Sequence, residues 1–249
     1  MKIKALAFDL FNTLVTAGPR TLADALDRLV LSLMENELVF HREEFEHAHW
    51  RAALQFNAES RETGRETKNR WWVAAALEHL GQAVPPDDPR IVSSVQAYFS
   101  AFIEQCRPIP GTLETLRRLK DLYPLGLLSN FTDAKAAKEI IERMGLAPLF
   151  EVVLISGDLG YRKPHPVIFQ RLVDGLGVEA RQILYVGDDP DADIAGARQS
   201  GINPVWMTYV RDKAVSGFPG YGPPGPEAPG PDVPKISALP ELVTLLGLG

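Results

Sequence analysis

Short, continuous apolar runs recur along the chain, and polar or turn-forming residues end each of them. Runs of this length are typical of buried strands. Most of them are separated by segments with apolar residues at helical spacing, and such alternation is typical of a parallel sheet covered by helices. The pattern predicts an α/β fold with a Rossmann-like doubly wound parallel sheet. The predicted strands are residues 3–8, 125–130, 151–156, 182–189 and 204–207, and the predicted core helices are residues 112–122, 133–145, 166–177, 192–201 and 240–246.

Residues 16–105 depart from this alternation, because they combine helical spacing with no strand signal. Their apolar residues fall on one face of each predicted helix. The segments with this spacing are residues 21–36, 42–57, 67–80 and 88–105. We therefore predict a bundle of about four helices. It forms a helical cap domain inserted into a core of residues 1–15 and 106–249.

Residues 217–234, GFPGYGPPGPEAPGPDVP, are rich in proline and glycine. They lack the Gly-X-Y period of collagen. We predict an irregular surface loop in this segment, before the short terminal helix.

The composition excludes several classes of partner. The 249-residue chain is 45% hydrophobic and 23% charged and has a net charge of −6. It therefore lacks the basic surface that attracts nucleic acids or anionic lipids, and we expect neither partner. The single cysteine, Cys106, cannot form an intrachain disulfide. No segment has the length of a membrane span or the pattern of a signal peptide, so we expect a cytoplasmic protein.

Polar side chains follow the predicted strands at the points where those strands end. Each alone is typical of a turn, a helix cap or a solvated surface. The residues are Asp9, Ser129, Asn130, Lys163, Asp188 and Asp189. Because ligands of open parallel sheets bind beyond the carboxyl ends of the strands, their coincidence at equivalent positions predicts one shared site.

The ordered motifs resemble those of the haloacid dehalogenase superfamily, in the subclass whose helical cap lies between the first two motifs. The matching residues are Asp9-Leu10-Phe11-Asn12-Thr13-Leu14, Leu128-Ser129-Asn130, Lys163-Pro164 and Gly187-Asp188-Asp189, with Asp193 following. The resemblance covers residues 1–15 and 108–210, and residues 16–105 occupy the position of the cap. It implies a hydrolase that forms a covalent aspartyl intermediate.

The resemblance also implies catalytic roles for the matching residues. Asp9 would be the nucleophile, attacking phosphorus or carbon. Lys163 would place a positive charge beside Asp9 and stabilise negative charge in the transition state. Thr13 and Ser129 would hydrogen-bond the nucleophile or the transferring group, with Asn130 next to Ser129 in the same motif.

A magnesium site is the second implication of the resemblance. Asp188 would bind Mg²⁺ together with Asp9 and the backbone carbonyl of Phe11, since Mg²⁺ prefers oxygen ligands with few carboxylates. Because this contact uses the backbone, the aromatic side chain does not abolish it. Asp193 would hold Lys163 or a metal-bound water, and Asp189 would support either.

Phe11 departs from the phosphatases of the superfamily. In those enzymes the residue two positions after the nucleophile is usually a second Asp, which protonates the leaving alcohol and activates water. Such general acid–base help is typically worth about 10²–10⁴-fold in rate, and phenylalanine cannot provide it. The 2-haloacid dehalogenases usually have an aromatic Tyr there, but they work without metal and lack the acids of GDDPDAD. Clustered carboxylates imply a cation, and Mg²⁺ in turn implies a phosphate-bearing substrate.

Three hypotheses follow. The leading one is a Mg²⁺-dependent phosphatase for a small phosphorylated substrate that lacks the usual acid. It would use good leaving groups, take an acid from the cap segment 41–47, HREEFEH, or be slow. The others are a 2-haloacid dehalogenase and a catalytically weak binding or regulatory protein. Arg20 and Arg42 are candidates for holding an anionic substrate, while the oligomeric state stays open.

Overall fold

The computed structural model describes residues 2–213 and 228–248, and a six-stranded parallel sheet forms its centre. The strands, numbered along the chain, are β1 Ala5–Phe8, β2 Val15–Thr16, β3 Arg107–Pro108, β4 Leu125–Ser129, β5 Val152–Ile155, β6 Ile183–Gly187, β7 Asn203–Met207 and β8 Lys235–Ile236. The sheet order is β5-β4-β1-β6-β7-β8, which places β1 between β4 and β6. The carboxyl ends of these three neighbouring strands therefore meet at one point of the sheet edge.

Helices cover the sheet and form the insertion. The α-helices are α1 Thr21–Glu35, α2 Arg42–Thr63, α3 Asn69–His79, α4 Pro89–Gln105, α5 Thr112–Lys120, α6 Ala134–Arg143, α7 Ser156–Leu159, α8 Pro166–Leu176, α9 Gly196–Gln199, α10 Tyr209–Lys213 and α11 Glu241–Leu245. Short 3₁₀ segments span Ala147–Leu149 and Ala180–Gln182, and a π-helical turn spans Pro190–Ala195. The predicted α/β fold with a doubly wound parallel sheet is confirmed.

The sheet buries an apolar cluster on each face. On β1, Leu6 and Phe8 belong to the larger cluster, whereas Ala5 and Ala7 belong to the smaller one. All four side chains are fully buried, because successive residues of a strand point to opposite faces and both faces are covered. This explains why β1 is apolar at every position rather than alternating.

The insertion consists of α1 to α4. Helix α1 packs along α4, α2 packs along α3, and α4 also packs against α6 of the core. The two chain segments that connect the insertion to the sheet pair with each other, since β2 and β3 form a small antiparallel ribbon. That these helices act as a separate cap domain stays a prediction.

Several element boundaries differ from the prediction. Helix α2 extends to Thr63 rather than residue 57, and Gly64 ends it with a left-handed φ of +68°. Glycine adopts this conformation without the steric cost of a Cβ atom, which makes it a common helix terminator. The helix predicted at residues 192–201 divides into the π-helical turn and α9. The pairing of β2 with β3 and the edge strand β8 were not predicted.

The predicted proline- and glycine-rich loop lies mostly outside the described residues. Its described part, residues 228–234, consists of turns and irregular backbone. Across the described ranges, each helix is too short or too polar to cross a membrane.

Candidate active site

The edge of the sheet beyond β1, β4 and β6 forms a cavity of about 170 Å³. Asp9, Asn130 and Asp188 enter it directly after these strands, and Lys163 enters from the loop after α7. The cavity is lined by the acids Asp9, Asp188, Asp189, Asp191 and Asp193 and by the bases Arg61, Arg162 and Lys163. The structure thus brings together residues that lie more than a hundred positions apart in the chain.

Lys163 is buried at the centre of this cluster. Its Nζ atom lies 2.6 Å from Oδ1 of Asp9 and 2.6 Å from Oδ1 of Asp193. It also donates to the carbonyl oxygen of Leu128 at 3.0 Å. Because the lysine side chain is only 2% exposed, its charge is held in place by the two carboxylates rather than by water.

Asn130 fixes the backbone that carries this lysine. Its Oδ1 atom accepts a hydrogen bond from the Lys163 amide at 2.8 Å, and its Nδ2 atom donates to the Lys163 carbonyl at 3.0 Å. Both polar groups of the peptide unit are satisfied by one side chain. Asn130 therefore positions Lys163, and the structure gives it this geometric function within the motif.

Tyr185 adds a contact that the sequence analysis did not anticipate. Its hydroxyl accepts from Nζ of Lys163 at 2.9 Å and donates to Oδ1 of Asp193 at 3.1 Å. Burial and the nearby Asp193 carboxylate raise the pKa of Tyr185, so the hydroxyl remains a donor. The sequence contains no signal for this contact, because Tyr185 lies within the apolar run ILYVG and a tyrosine within a buried strand is usually a packing residue.

The pKa values of the cluster reflect burial first and neighbouring charges second. Burial raises the pKa of Asp9 to about 7, although Lys163 opposes the shift and Asp193 reinforces it. Burial and the charges of Asp9 and Asp193 raise the pKa of Asp188 well above its usual value. Burial alone would lower the pKa of Lys163, but Asp193 and Asp9 together raise it by more than burial lowers it, so the net shift is upward. A cation among these carboxylates would relieve their repulsion.

The acids differ in how far their oxygens are already engaged. Asp193 uses both oxygens, one for Lys163 and the other for the Asp189 amide at 3.0 Å. Asp189 caps the π-helical turn, because its Oδ1 atom accepts from the amides of Asp191 and Ala192. Asp188 makes no such cap. Oxygen atoms of Asp9, Asp188 and Asp193 lie within 4.8 Å of one another, which is a spacing that a metal ion can bridge.

Two predicted hydroxyl groups are buried beside the cluster without a partner. The hydroxyls of Thr13 and Ser129 have no hydrogen-bond partner within the described residues, and both side chains are fully buried. Leaving such groups unpaired costs about 1–3 kcal/mol each. Neither residue is among those that line the cavity, so the predicted contact of these hydroxyls with the nucleophile or the transferring group stays a prediction.

A tight turn after Asp9 brings Thr13 to this position. The carbonyl of Leu10 accepts from the amides of Leu14 and Val15, each at 2.9 Å. Asn12 adopts a left-handed φ of +63° within the turn, a conformation that asparagine tolerates better than most residues. The chain reverses within a few residues and continues into β2.

Phe11 forms an apolar wall of the cavity. Its ring stacks on Phe131, with ring centroids 4.7 Å apart, and only 6% of the residue is exposed. Phe99 and Phe102 of α4 pack against the other side of Phe131, with centroid distances of 5.3 and 6.4 Å. The position two residues after Asp9 is therefore part of an aromatic layer between core and insertion.

Residues 3–201 match the family model of the haloacid dehalogenase-like hydrolases. The chain belongs to this family. The match includes every site residue from Asp9 to Asp193 and confirms the resemblance on which the predicted site was based. The reaction that the motifs imply is taken up below as a proposal.

Curated relatives of this haloacid dehalogenase-like hydrolase include phosphatases. A phosphoglycolate phosphatase of Rhodospirillum rubrum is 35% identical over 217 residues, which cover 83% of this chain and 80% of that protein. A glyceraldehyde 3-phosphate phosphatase of Pyrococcus abyssi is 36% identical over 126 residues, covering 50% of this chain and 52% of the relative. The second match thus spans about half the length of the relative.

A solved structure of similar fold has a different activity. The 2-haloacid dehalogenase of Pseudomonas syringae pv. Tomato is 25% identical, with a TM-score of 0.73, and the match covers 98% of each chain. Both reaction classes considered from the sequence are therefore represented among proteins similar to this hydrolase.

The cap residues at the cavity differ from those considered in the sequence analysis. Arg20 and Arg42 form ion pairs with acids of α1 and α2 instead of lining the cavity. Residues 41–47 do not line it either, so in the described structure they place no acid there. Arg61 of α2 reaches the cavity, and it had no distinguishing signal within the polar run ESRETGRET.

Proposed function

We propose that this hydrolase is a Mg²⁺-dependent phosphatase that acts on small phosphorylated molecules through an aspartyl-phosphate at Asp9. The observation that carries the proposal is the set of three carboxylates, Asp9, Asp188 and Asp193, within 4.8 Å. Lys163 offsets part of their negative charge, yet burial and the neighbouring carboxylates still raise the pKa values of Asp9 and Asp188, so a cation would stabilise the charged forms of both acids. The relatives named as phosphatases also support this reaction class.

The donor set suits magnesium. Asp9, Asp188 and the backbone carbonyl of Phe11 would hold the ion, and all three supply the hard oxygen ligands that Mg²⁺ prefers. Asp193 is less suited to direct binding, because both of its oxygens already accept hydrogen bonds. When bound, Mg²⁺ would offset negative charge on the phosphoryl group and on the two carboxylates.

The side chains of the cavity would perform two successive displacements at phosphorus. An Asp9 oxygen forms a bond to phosphorus while the bond to the leaving oxygen breaks, and the leaving group departs with the electron pair. Water then attacks the aspartyl-phosphate, which releases inorganic phosphate and regenerates Asp9. Lys163 and the hydroxyls of Thr13 and Ser129 stabilise the charge on the transferring oxygens.

Phe11 restricts the leaving groups that this site can expel. No proton donor occupies its position, so the departing oxygen must leave as an anion or take its proton from water. Aryl and acyl phosphates have leaving groups that are stable as anions, and we propose that they are hydrolysed faster than alkyl phosphates.

The test is the release of phosphate from p-nitrophenyl phosphate with Mg²⁺ and with EDTA. We expect turnover that depends on Mg²⁺ and is lost in Asp9→Asn, which keeps the shape of the side chain but removes the nucleophile. Asp121→Asn, at an exposed position directly after α5, provides a matched control that keeps full activity. Turnover that persists in EDTA or in Asp9→Asn would contradict the proposal.

A second candidate function is 2-haloacid dehalogenation. The specific observation that favours it is the apolar ring of Phe11 in the cavity lining, held by its stack on Phe131, because a departing halide needs no proton. Asp9 would then attack carbon and expel the halide. Metal-independent release of chloride from 2-chloropropionate, without phosphate release from p-nitrophenyl phosphate, would establish this alternative in place of the phosphatase.

A further inference from the structure

The cavity contains two arginines that have no role in the proposed reaction. Arg61 comes from the last turn of α2, and Arg162 directly precedes Lys163. Although they are neighbours in sequence, Lys163 is turned into the core, whereas Arg162 is turned towards the insertion. Arg162 contacts Asn57 of α2 at 3.2 Å and the carboxylate of Glu66 at 3.6 Å.

These contacts hold Arg162 in a defined place. Glu66 is nearly fully buried, with 2% of its side chain exposed, and also accepts from the Ser156 hydroxyl at 2.5 Å. Asn57 and Glu66 both engage the same terminal nitrogen of Arg162. A guanidinium group has five N–H donors in a planar fork, so further donors remain for a ligand in the cavity.

Arg61 carries a charge that no side chain offsets. Within the described residues it makes no hydrogen bond or ion pair, although it lines the cavity. Other arginines of the insertion, such as Arg28, Arg42 and Arg70, are paired with acids. An unpaired arginine at the mouth of a small cavity attracts an anion more than a neutral group.

The charges of the cavity are separated into two sides. The acids lie with the carboxyl ends of β1 and β6, where Lys163 and the proposed cation would receive a phosphoryl group. Arg61 and the exposed donors of Arg162 lie at the side of α2. Both groups of residues line the same cavity of about 170 Å³, so a small molecule bound there would lie between them.

We infer that Arg61 and Arg162 form an anion subsite, and that the substrate is a small phosphate monoester with a second anionic group, a carboxylate or another phosphate. This inference rests on the proposed function, because the first phosphate is assigned to Asp9. The subsite determines specificity, while the reacting atoms stay at the acidic side.

The experiment compares two probes that differ only in the second anion. 2-Phosphoglycolate carries a carboxylate, whereas ethyl phosphate has the same chain length and no second charge. We expect kcat/KM for 2-phosphoglycolate to fall about 10- to 100-fold in Arg61→Gln, the loss typical of a hydrogen bond to a charged group. The value for ethyl phosphate should stay within about twofold. Arg162→Lys tests whether the planar pair of guanidinium donors is needed, because lysine keeps the positive charge but lacks the paired donors.

Arg171→Gln on α8 provides the matched control, since Arg171 is exposed and does not line the cavity. This substitution should leave kcat/KM unchanged for both probes. If Arg61 merely stabilises the end of α2, Arg61→Gln would lower the melting temperature and leave the ratio of the two probes unchanged. An unchanged ratio, or an equal loss for both probes, would overturn the inference.

Calorimetric binding to Asp9→Asn with Mg²⁺ separates this inference from the proposed function. The variant should bind 2-phosphoglycolate more tightly than ethyl phosphate, and the added Arg61→Gln substitution should remove the difference. Absence of turnover with every phosphate ester would contradict the proposed phosphatase function but not the anion subsite. Equal binding of both probes would contradict the subsite alone.

Discussion

Phe11 combines a packing role with a restriction on the chemistry proposed for this site. Its ring is stacked on Phe131 and nearly buried, so it provides packing between the core and α4. It also stands two residues after Asp9, at the position where the phosphatases that the motifs resemble usually have a proton donor. In the proposed reaction the same side chain therefore stabilises the fold and favours substrates whose leaving groups need no proton.

The substitution Phe11→Asp should change the leaving-group dependence. We expect turnover of ethyl phosphate to rise by as much as about 10²-fold, the lower end of general acid catalysis. Turnover of p-nitrophenyl phosphate should rise little, since nitrophenolate departs without a proton. Steady-state kinetics with both substrates checks this.

Phe11→Leu is the matched control for that substitution, because it loses the aromatic stack and gains no acid. Both variants should melt at a lower temperature than the parent. An equal gain in Phe11→Leu and Phe11→Asp, or no gain with ethyl phosphate, would refute the role assigned to the missing acid.

The helices of the insertion share an aromatic interior in which one titratable group is buried. His49 of α2 is 3% exposed, and its ring lies 5.9 Å from Phe45, 6.4 Å from Trp72 and 6.5 Å from Tyr98. Its Nε2 atom has no hydrogen-bond partner in the described structure. Burial lowers the pKa of His49 from 6.5 to about 4. The helices therefore pack around a neutral imidazole.

This packing should make the stability of the protein depend on pH. The unfolded chain takes up a proton at His49 near pH 6.5, whereas the folded chain resists it until about pH 4. The contribution of His49 is therefore complete above pH 6.5 and is lost as the pH falls from 6.5 to 4. It amounts to at most about 3 kcal/mol.

Chemical denaturation between pH 4.5 and 7.5 measures this contribution as a difference between variants. His49→Leu should flatten the pH dependence relative to the parent, while carboxylates contribute equally to both. His47→Leu, at an exposed position of the same helix, should leave the slope unchanged. Parallel curves for the parent and His49→Leu would show that the histidine is not the responsible group.

At the scale of the molecule, the fold concentrates negative charge at one edge of its sheet. The chain carries a net charge of −6, and five of its carboxylates line a single cavity. Folding brings Asp9 to the four acids of residues 188–193 and buries part of the cluster, so their repulsion is a cost that the unfolded chain bears only in part. A cation that binds only the folded state offsets this cost.

Mg²⁺ should therefore raise the melting temperature, and EDTA should reverse the effect. At a hundredfold excess over Kd we expect an increase of about 5–10 °C for a chain of this size. Asp188→Asn should melt at a higher temperature than the parent in EDTA, because one repelling charge is removed. The same variant should lose most of the response to Mg²⁺. Scanning calorimetry with Mg²⁺ and with EDTA provides the measurement.

Asp121→Asn is the control for a general loss of charge and should respond to Mg²⁺ as the parent does. A lower melting temperature of Asp188→Asn in EDTA would contradict the repulsion argument. An undiminished response of this variant to Mg²⁺ would contradict the assignment of Asp188 as a ligand.

The sequence by itself determined the class of fold and the location of the site. Alternating apolar runs and helical spacing predict a parallel sheet with covering helices, and in such a sheet the strand ends are adjacent whatever the details of packing. Asp9, Lys163 and Asp188 could therefore be assigned to one site from their positions alone. The sequence also showed the unusual Phe11, since recognising it requires only the identity of one residue.

The tertiary structure alone decided which side chains contact one another. From the sequence Tyr185 is an apolar strand residue, and only the structure shows that its hydroxyl contacts Lys163. Likewise, the sequence places Asn130 at a strand end, and only the structure shows that it binds the backbone of Lys163. Arg61 could not be chosen over Arg20 or Arg42, because the choice depends on how α2 is oriented on the core. Helical spacing determines which residues share a face, but only packing determines what that face contacts.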